Sequence, residues 1–407
     1  MTRLIEAIKI ALAAIWANKL RSVMMVLGNI VAVTSIIAVV SLVQGMNGYV
    51  SDAIISQVGV GTFRVERFGL ITSREAFERA ARRPNVTRAE QRALQEWSPL
   101  FDSVMAEIGN SANVAYREKT LESIQIRGVS EEYTEFAGFD AELGRLPNRI
   151  EIERHQPVAL LGSAIAEQLF TNRNPLDQFV RIDGHPIRVV GVSESKGSMF
   201  GNSQDEFVVM PLGVALRLFG SRRSLDLTVK VADPARMDEA MDEARLAMRI
   251  RRHLRPKEPD DFGIVTSETL MQFWRSFSQG AFTLLIGIVS VSLVVGGIVI
   301  MNIMLMVVSE RTREVGLRKS LGARRLDIVW QFLSESTTLS VLGGVIGTTL
   351  GFAAAALVAA FTPLPASISP WSVALGVGMT AIVGLFFGLY PAIRAARLDP
   401  IEALHKE

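Results

Sequence analysis

Four long apolar runs divide the chain, and a polar, mixed-pattern stretch separates the first from the other three. Residues 22–43 (SVMMVLGNIVAVTSIIAVVSLV), 281–308, 339–361 and 371–393 contain no Asp, Glu, Lys or Arg. A bilayer core of roughly 30 Å needs about 20 apolar helical residues, so each run predicts a membrane span. The second run, extended at about 1.5 Å per residue, reaches roughly 42 Å, more than a bilayer requires. Its pattern continues upstream through Leu270, Phe273, Trp274 and Phe277, and that of the first run continues through Met46, Tyr49, Val50 and Ile54. Both helices are therefore expected to leave the membrane as stalks. The third span should begin before its apolar body, where Ile328, Trp330, Phe332 and Leu333 are interleaved with polar residues.

The segment between the first two spans has globular patterning. Strand-like runs occur at 62–68, 123–128, 157–161, 179–183, 187–192, 206–210 and 224–231, and helical patterns at 88–97, 164–169 and 234–254. Asp183-Gly184 between two apolar runs is a hairpin signal, because that pair suits a type I′ turn. Residues 224–231, 234–254 and 264–266 read as strand, helix, strand, and 62–128 has a similar order. The expected fold class is a membrane α-helical protein with four transmembrane helices and a large α+β extracytoplasmic domain inserted between helices 1 and 2. Its expected divisions are an interfacial helix at 1–21, the first span and stalk at 22–46, and the outer domain at 47–275. The outer domain carries a mostly β inserted subdomain at 136–223. The second span follows at 276–308, a loop at 309–327, the third span at 328–361, the fourth at 371–393 and a short C-terminal helix at 394–407.

Composition supports the spans: 49% of the 407 residues are hydrophobic, and mean hydropathy is +0.29. The net charge of +2 supplies no global field for nucleic acid. Basic residues cluster instead near the runs. Arg3, Lys9, Lys19 and Arg21 precede the first; Arg311, Arg313, Arg318, Lys319, Arg324 and Arg325 lie between the second and third; Arg394, Arg397 and Lys406 follow the fourth. The link 362–370 has none. The positive-inside rule then predicts cytoplasmic termini, a cytoplasmic 309–327 loop and an external 47–275 domain of a plasma (inner) membrane protein. The basic stretch RLAMRIRRHLR at 245–255 would then be a solvated helix face on the outside.

Catalytic and cofactor chemistry finds little support. The absence of cysteine excludes disulfides and thiolate sites. The four histidines, His155, His185, His253 and His405, lack metal-ligand spacing. There is neither a G-x-S-x-G elbow nor a G-x-x-x-x-G-K-[ST] phosphate loop. No enzyme, metal or cofactor site is expected in this chain, and any ATP and Mg would be bound by a partner.

The loop SERTREVGLRKSLGARRLDI is the most informative polar stretch. Glu314 precedes Arg318 by four residues, the favourable order for a helical ion pair. Val315, Leu317 and Leu321 supply a narrow apolar side, and Gly322 can end the helix in the left-handed conformation. By pattern alone, a docking knob and a solvated loop stand level. Leu4, Ile5, Ile8, Leu12, Ile15 and Trp16 predict an amphipathic helix on the inner leaflet, with membrane lipid as partner. Asp399 and Pro400 predict a short final helix. Glu335, near the membrane face, is either a functional intramembrane carboxylate or, as the flanking charges favour, an interfacial partner of Arg324 or Arg325. Gly343, Gly347 and Gly351, with Gly384 and Gly388, permit close helix approach within the protomer or across a dimer.

These stretches carry a resemblance. GIVIMNIMLMVVSERTREVGLRKSLGARRLDIVWQF at 297–332, GLYPAIRAARLDPIEAL at 388–404 and NKLRSVMMVLGNIVAV from Asn18 resemble the permease module of MacB-type ABC transporters, the FtsX-like permease family. VALLGSAIAEQLF and VRIDGHPIRVVGVSESKGSMFGNSQDEFVVMP in the outer segment fit the same pattern. The resemblance implies a second copy or related permease and two ATP-binding subunits, and a periplasmic adaptor with an outer-membrane channel as further partners. It implies an ATPase-docking coupling helix carrying Glu310, Arg311, Arg313, Glu314, Gly316, Arg318, Lys319, Gly322 and Ala323. It implies export by mechanotransmission, in which ATPase closure moves the outer domains. Lipoprotein release of the Lol type and FtsX-like signalling to an outer partner are the alternatives. Family members with a fused N-terminal ATPase differ from this sequence, which opens at the interfacial helix; a separate ATPase chain is therefore expected.

Overall fold

A computed structural model describes residues 19–58, 61–137, 140–171, 173–199, 202–362 and 370–405. The interfacial helix expected over 1–21 lies, except for its last three positions, outside the described residues. Helix α1 (Lys19–Val58) leads to β1 (Thr62–Glu66), α2 (Arg74–Ala81), α3 (Arg88–Gln95), β2 (Phe101–Tyr116) and β3 (Lys119–Val129). Next come α4 (Tyr133–Phe136), β4 (Ala141–Gly144), α5 (Arg149–Glu153), β5 (Val158–Leu161), α6 (Ser163–Phe170), β6 (Phe179–Ile182) and β7 (His185–Ser193). A small hairpin, β8 (Ser198–Met199) and β9 (Asn202–Ser203), precedes β10 (Phe207–Pro211), α7 (Leu212–Phe219), β11 (Asp226–Val231), α8 (Met237–Arg251) and β12 (Gly263–Thr266). The chain then runs through α9 (Ser267–Glu310), α10 (Thr312–Ser320), α11 (Arg325–Phe361), α12 (Pro370–Ala396) and α13 (Pro400–His405). Two compact units result, Met1–Tyr49 with Arg275–Glu407, and Val50–Trp274.

In the first unit, Val26–Ile54, Ser267–Glu310, Arg325–Phe361 and Trp371–Ala396 are long and apolar enough to cross a membrane. The chain is a multi-pass membrane protein. Small residues decide how these helices meet, because lipid supplies no hydrophobic drive between them. A Cβ on Gly343 would lie 2.9 Å from Val26 Cγ1, one on Gly347 2.9 Å from the Ile30 carbonyl, and one on Gly351 2.7 Å from Ile37 Cβ. The glycine row of α11 thus receives successive turns of α1. Gly384 and Gly388 of α12 face Ser340 and Ser336 of α11, and the Ser336 hydroxyl donates to the Gly384 carbonyl at 3.1 Å. All five glycines pack within the protomer.

The second unit is built on a mixed sheet ordered β12-β1-β11-β2-β3-β10-β5-β7-β4, with β6 joined to β2 and β7. Strand β11 is antiparallel to both β1 and β2, and β1 is antiparallel to β12. The crossovers β1–α3–β2 and β11–α8–β12 therefore interlock, the split βαβ arrangement. Apolar residues Val104, Ala106, Leu227 and Val229 join Ala240, Ala244 and Leu94 in one core. Residues 136–223 supply β4 to β10, and β10 pairs with β3, so this segment continues the same sheet. The Asp183-Gly184 turn joins antiparallel β6 and β7 with positive φ at both positions, 45° and 85°.

Local signals account for the helix starts. Ser73 caps α2, and Glu90 reaches back to the Thr87 N–H at 2.6 Å to cap α3. The basic end of α8 is paired: Arg252 binds Glu90 at 2.8 Å and Asp261 at 2.9 Å, and Arg249 binds Asp260 at 2.5 Å. These arginines tie α8 to α3 and to the following loop, a structural use for the run at 245–255.

The opposite sheet face is charged. Glu107 accepts two hydrogen bonds from Arg127, at 2.7 and 2.9 Å. Burial alone would raise the Glu107 carboxyl, but Arg127 outweighs it and holds the group below the usual carboxylate range. Asp226 sits directly across from Glu107 in the strand register. Burial pushes its pKa from 3.8 to about 6, with Glu66 and Glu107 adding to the rise and Arg64 opposing it.

Two outcomes are expected. A raised carboxyl favours the fold while protonated, so its contribution is complete below about 4 and is lost as pH climbs through about 6. The full chain in detergent should be less stable at pH 7.5 than at pH 5, by an amount on the order of 1–1.5 kcal/mol. Asp226→Asn should remove most of that difference; an undiminished pH response in D226N would show that another group is responsible. In the membrane unit, Gly347→Leu forces a side chain onto the α1 backbone, an overpacking of roughly 1–3 kcal/mol. Gly378→Leu, where no atom lies within 4 Å, should leave thermal stability unchanged in the same assay.

Candidate functional site

The loop between the second and third spans forms a compact helical knob. Arg311 interrupts the helix between α9 and α10, and the Thr312 hydroxyl returns to the Ser309 carbonyl at 2.8 Å. At the far end the Ala323 N–H donates to the Arg318 carbonyl and the Gly322 N–H to that of Lys319, both at 3.1 Å. With Gly322 at φ 97°, these two bonds form a Schellman cap, as only a residue without Cβ readily permits. Helix α11 then starts with the Asp327 carboxylate accepting from the Arg324 N–H at 3.0 Å.

The knob's charged residues divide into two sets. Arg311 pairs with Glu335 at 3.4 Å, so the partner of that carboxylate is Arg311 rather than Arg324 or Arg325. The reason is helical geometry: Glu335 lies nearly three turns into α11 and faces the α9–α10 junction, whereas the two loop arginines sit at the α11 start. Arg318 binds Glu314 and also donates to Gln331 at 2.5 Å. Lys319 donates to the carbonyls of Ala396 (3.0 Å) and Leu398 (2.5 Å) at the end of α12. Glu310, Arg313, Arg324 and Arg325 are exposed.

The apolar side differs from the pattern expected of one helix face. Val315 is buried, as is Gly316, whose Cβ would lie 2.7 Å from that of Ala403 on α13. Leu317 and Leu321 point outward, joined in exposure by Leu326 and Trp330, each more than half exposed. Ala323 is partly buried against the core formed by Val308, Val315, Ile328 and Ala395. Sequence reasoning missed Leu326 and Trp330 as surface residues; the available signal was their place within a strongly charged stretch. Among the described residues, no group of His, Asp or Glu is arranged to hold a metal ion.

Four spans, a mixed α/β domain between the first and second, and a capped helical loop between the second and third define a class of membrane permease. The family profile described as MacB-like periplasmic core domain matches residues 22–247, and that described as FtsX-like permease C-terminal matches 286–400. The chain belongs to the MacB/FtsX-like permease family. It is 32% identical over 394 residues to a macrolide export ATP-binding/permease protein MacB of Bdellovibrio bacteriovorus, covering 96% of this chain and 60% of that one. A protein of the same description from Chlorobaculum tepidum is 35% identical over 417 residues, covering 100% and 62%. The chain thus spans about three fifths of the length of these relatives. The periplasmic region of MacB from Actinobacillus actinomycetemcomitans aligns with a TM-score of 0.46 and 22% identity, covering 54% of this chain and 95% of that structure.

Proposed function

We propose that this chain is the transmembrane part of an ABC transporter, in which the α9–α10–α11 loop docks an ATP-binding module on the cytoplasmic side. The observation that carries this reading is the knob itself. Leu317, Leu321, Leu326 and Trp330 stand exposed on a hairpin braced by the internal contacts of Arg311, Arg318 and Lys319. An apolar set on a rigid, charged mount suits burial in a protein groove. The basic residues flanking the spans support a topology with both termini and this loop inside and the 50–274 unit outside. Hydrolysis by the ATP-binding module would then move the outer unit through α1 and α9, driving export on the outer side by mechanotransmission. A second permease copy completes the complex. The curated relatives bear both an ATP-binding and a permease designation, which supports the pairing.

Affinity capture of the tagged chain from native membranes tests the reading directly. A Walker-motif protein should copurify, and Arg313→Glu combined with Leu321→Ser should abolish its recovery while membrane insertion stays intact. Recovery of the chain without any ATP-binding protein would end the permease assignment. The accompanying protein, adaptor, lipoprotein chaperone or cell-wall hydrolase, separates export from lipoprotein release and signalling.

Orientation has its own check, made clean by the absence of native cysteine. A cysteine at Arg222 should react with an impermeant maleimide on intact spheroplasts. One at Arg313 should react only after permeabilisation; the reverse pattern would invert the topology.

A further inference from the structure

We propose that the C-terminal helix α13 is a working part of the docking knob, and that Lys319 is the positioning residue that fastens the knob to the fourth span. The inference rests on the docking reading above and adds to it the element through which the fourth span receives the movement.

Three observations converge. First, α10 and α13 touch at a site with no spare room. Gly316 faces Ala403 at a built Cβ separation of 2.7 Å, and Ala403 is buried. The Asp399 carboxylate accepts from the Ile401 N–H at 2.8 Å, so α13 starts at a fixed place directly after α12. Second, the Lys319 ammonium gives two of its three donors to the Ala396 and Leu398 carbonyls. Carbonyls at a helix C-terminus lack partners within the helix, and a cation there also complements the helix dipole. Lys319 is thus a cap of α12 supplied by another helix. Third, α10 is held on its other sides by Arg318 to Gln331 and by Arg311 to Glu335, both on α11.

A load applied to α10 therefore reaches all three neighbouring spans. It passes to α9 and α11 through the backbone and to α12 through Lys319 and α13. The family resemblance implies Lys319 among the docking contacts. The structure assigns its charge to the inside of the protein, which predicts a different phenotype: its loss should spare docking and impair transmission.

The test uses the complex captured from membranes, with two readouts, recovery of the ATP-binding protein and its hydrolysis rate per bound complex. Lys319→Met should leave recovery unchanged and lower permease-dependent hydrolysis about tenfold, within the range of ordinary coupling energies. Lys319→Arg, which keeps donors for both carbonyls, should restore most of the rate. Loss of recovery in Lys319→Met, or an unchanged rate, would overturn the assignment.

A second variant judges the joined body by crosslinking, which needs no partner, and by hydrolysis in the complex. In the Gly316→Cys/Ala403→Cys chain a disulfide needs a Cβ separation of about 3.5–4.5 Å, a relaxation of about 1 Å from the present contact. Oxidation should close it in most molecules and leave hydrolysis by the complex intact. Failure to close, or closure that stops hydrolysis, would show that α10 and α13 separate during the cycle. If no ATP-binding protein is captured even with the unaltered chain, the docking reading falls, and crosslinking alone decides whether α10 and α13 form one body.

Discussion

Hydrocarbon offers no partner to a peptide group and no hydrophobic gain to a helix that leaves lipid for another helix. Every spanning segment must therefore satisfy its backbone internally and find its neighbours by close contact. The glycine row of α11 answers the second requirement. Without Cβ atoms at 343, 347 and 351, the side chains of Val26, Val33 and Ile37 on α1 reach the α11 backbone. The same economy recurs where Gly28 of α1 meets Gly296 of α9, a built Cβ lying 2.8 Å from the opposing Cα. Several hydroxyls in these helices bond back to carbonyls, as Thr348 does to Gly344 at 2.7 Å. The large side chains left on the outside, such as Leu284, Ile288 and Val291, are those that lipid accepts without cost.

The loop hairpin works under the opposite condition. Exposed to water, it has little apolar area to bury, so order comes from caps and charges. The Schellman turn at Gly322, the Arg318 contacts and the Lys319 cap leave few long side chains free to wander. Binding through such a surface loses less rotamer entropy than binding through an unpaired loop. Arg311, Arg318 and Lys319 thus lend the hairpin rigidity through their donors, while Leu317, Leu321, Leu326 and Trp330 stay exposed.

Legibility followed the physics of burial. Spans were readable because twenty apolar residues have few alternative fates, and the Asp183-Gly184 hairpin because its turn needs two residues tolerant of positive φ. Strand β2, the longest, left no trace in the pattern. Residues 103–108 are all buried, since the sheet is covered on both faces there, and two-sided burial erases the alternation that marks a strand. The Gly109-Asn110-Ser111 step lowers strand propensity further. The eight-residue helices α2 and α7 were not legible in the pattern, whereas α3 and α6, of the same length, were, so length alone does not separate them. At the knob, the loop and its Gly322 end were legible, but the contacts of Arg311 and Lys319 were not. Both depend on where α11 and the end of α12 lie, a tertiary fact that spacing along the chain does not contain.

The charged face of the outer sheet shows what such tertiary placement costs. Glu107 and Asp226 occupy opposed positions in the register, and like charges directly across a ladder repel. Arg127 supplies paired donors to Glu107 and holds it ionised, which leaves Asp226 with repulsion from Glu66 and Glu107 and only partial relief from Arg64. Arg127 and Arg64 do not fully neutralise a row of three carboxylates. The row therefore settles with Asp226 carrying the strain, and protonation of its carboxyl relieves it. Stability of the outer unit is in this way tied to pH through Asp226.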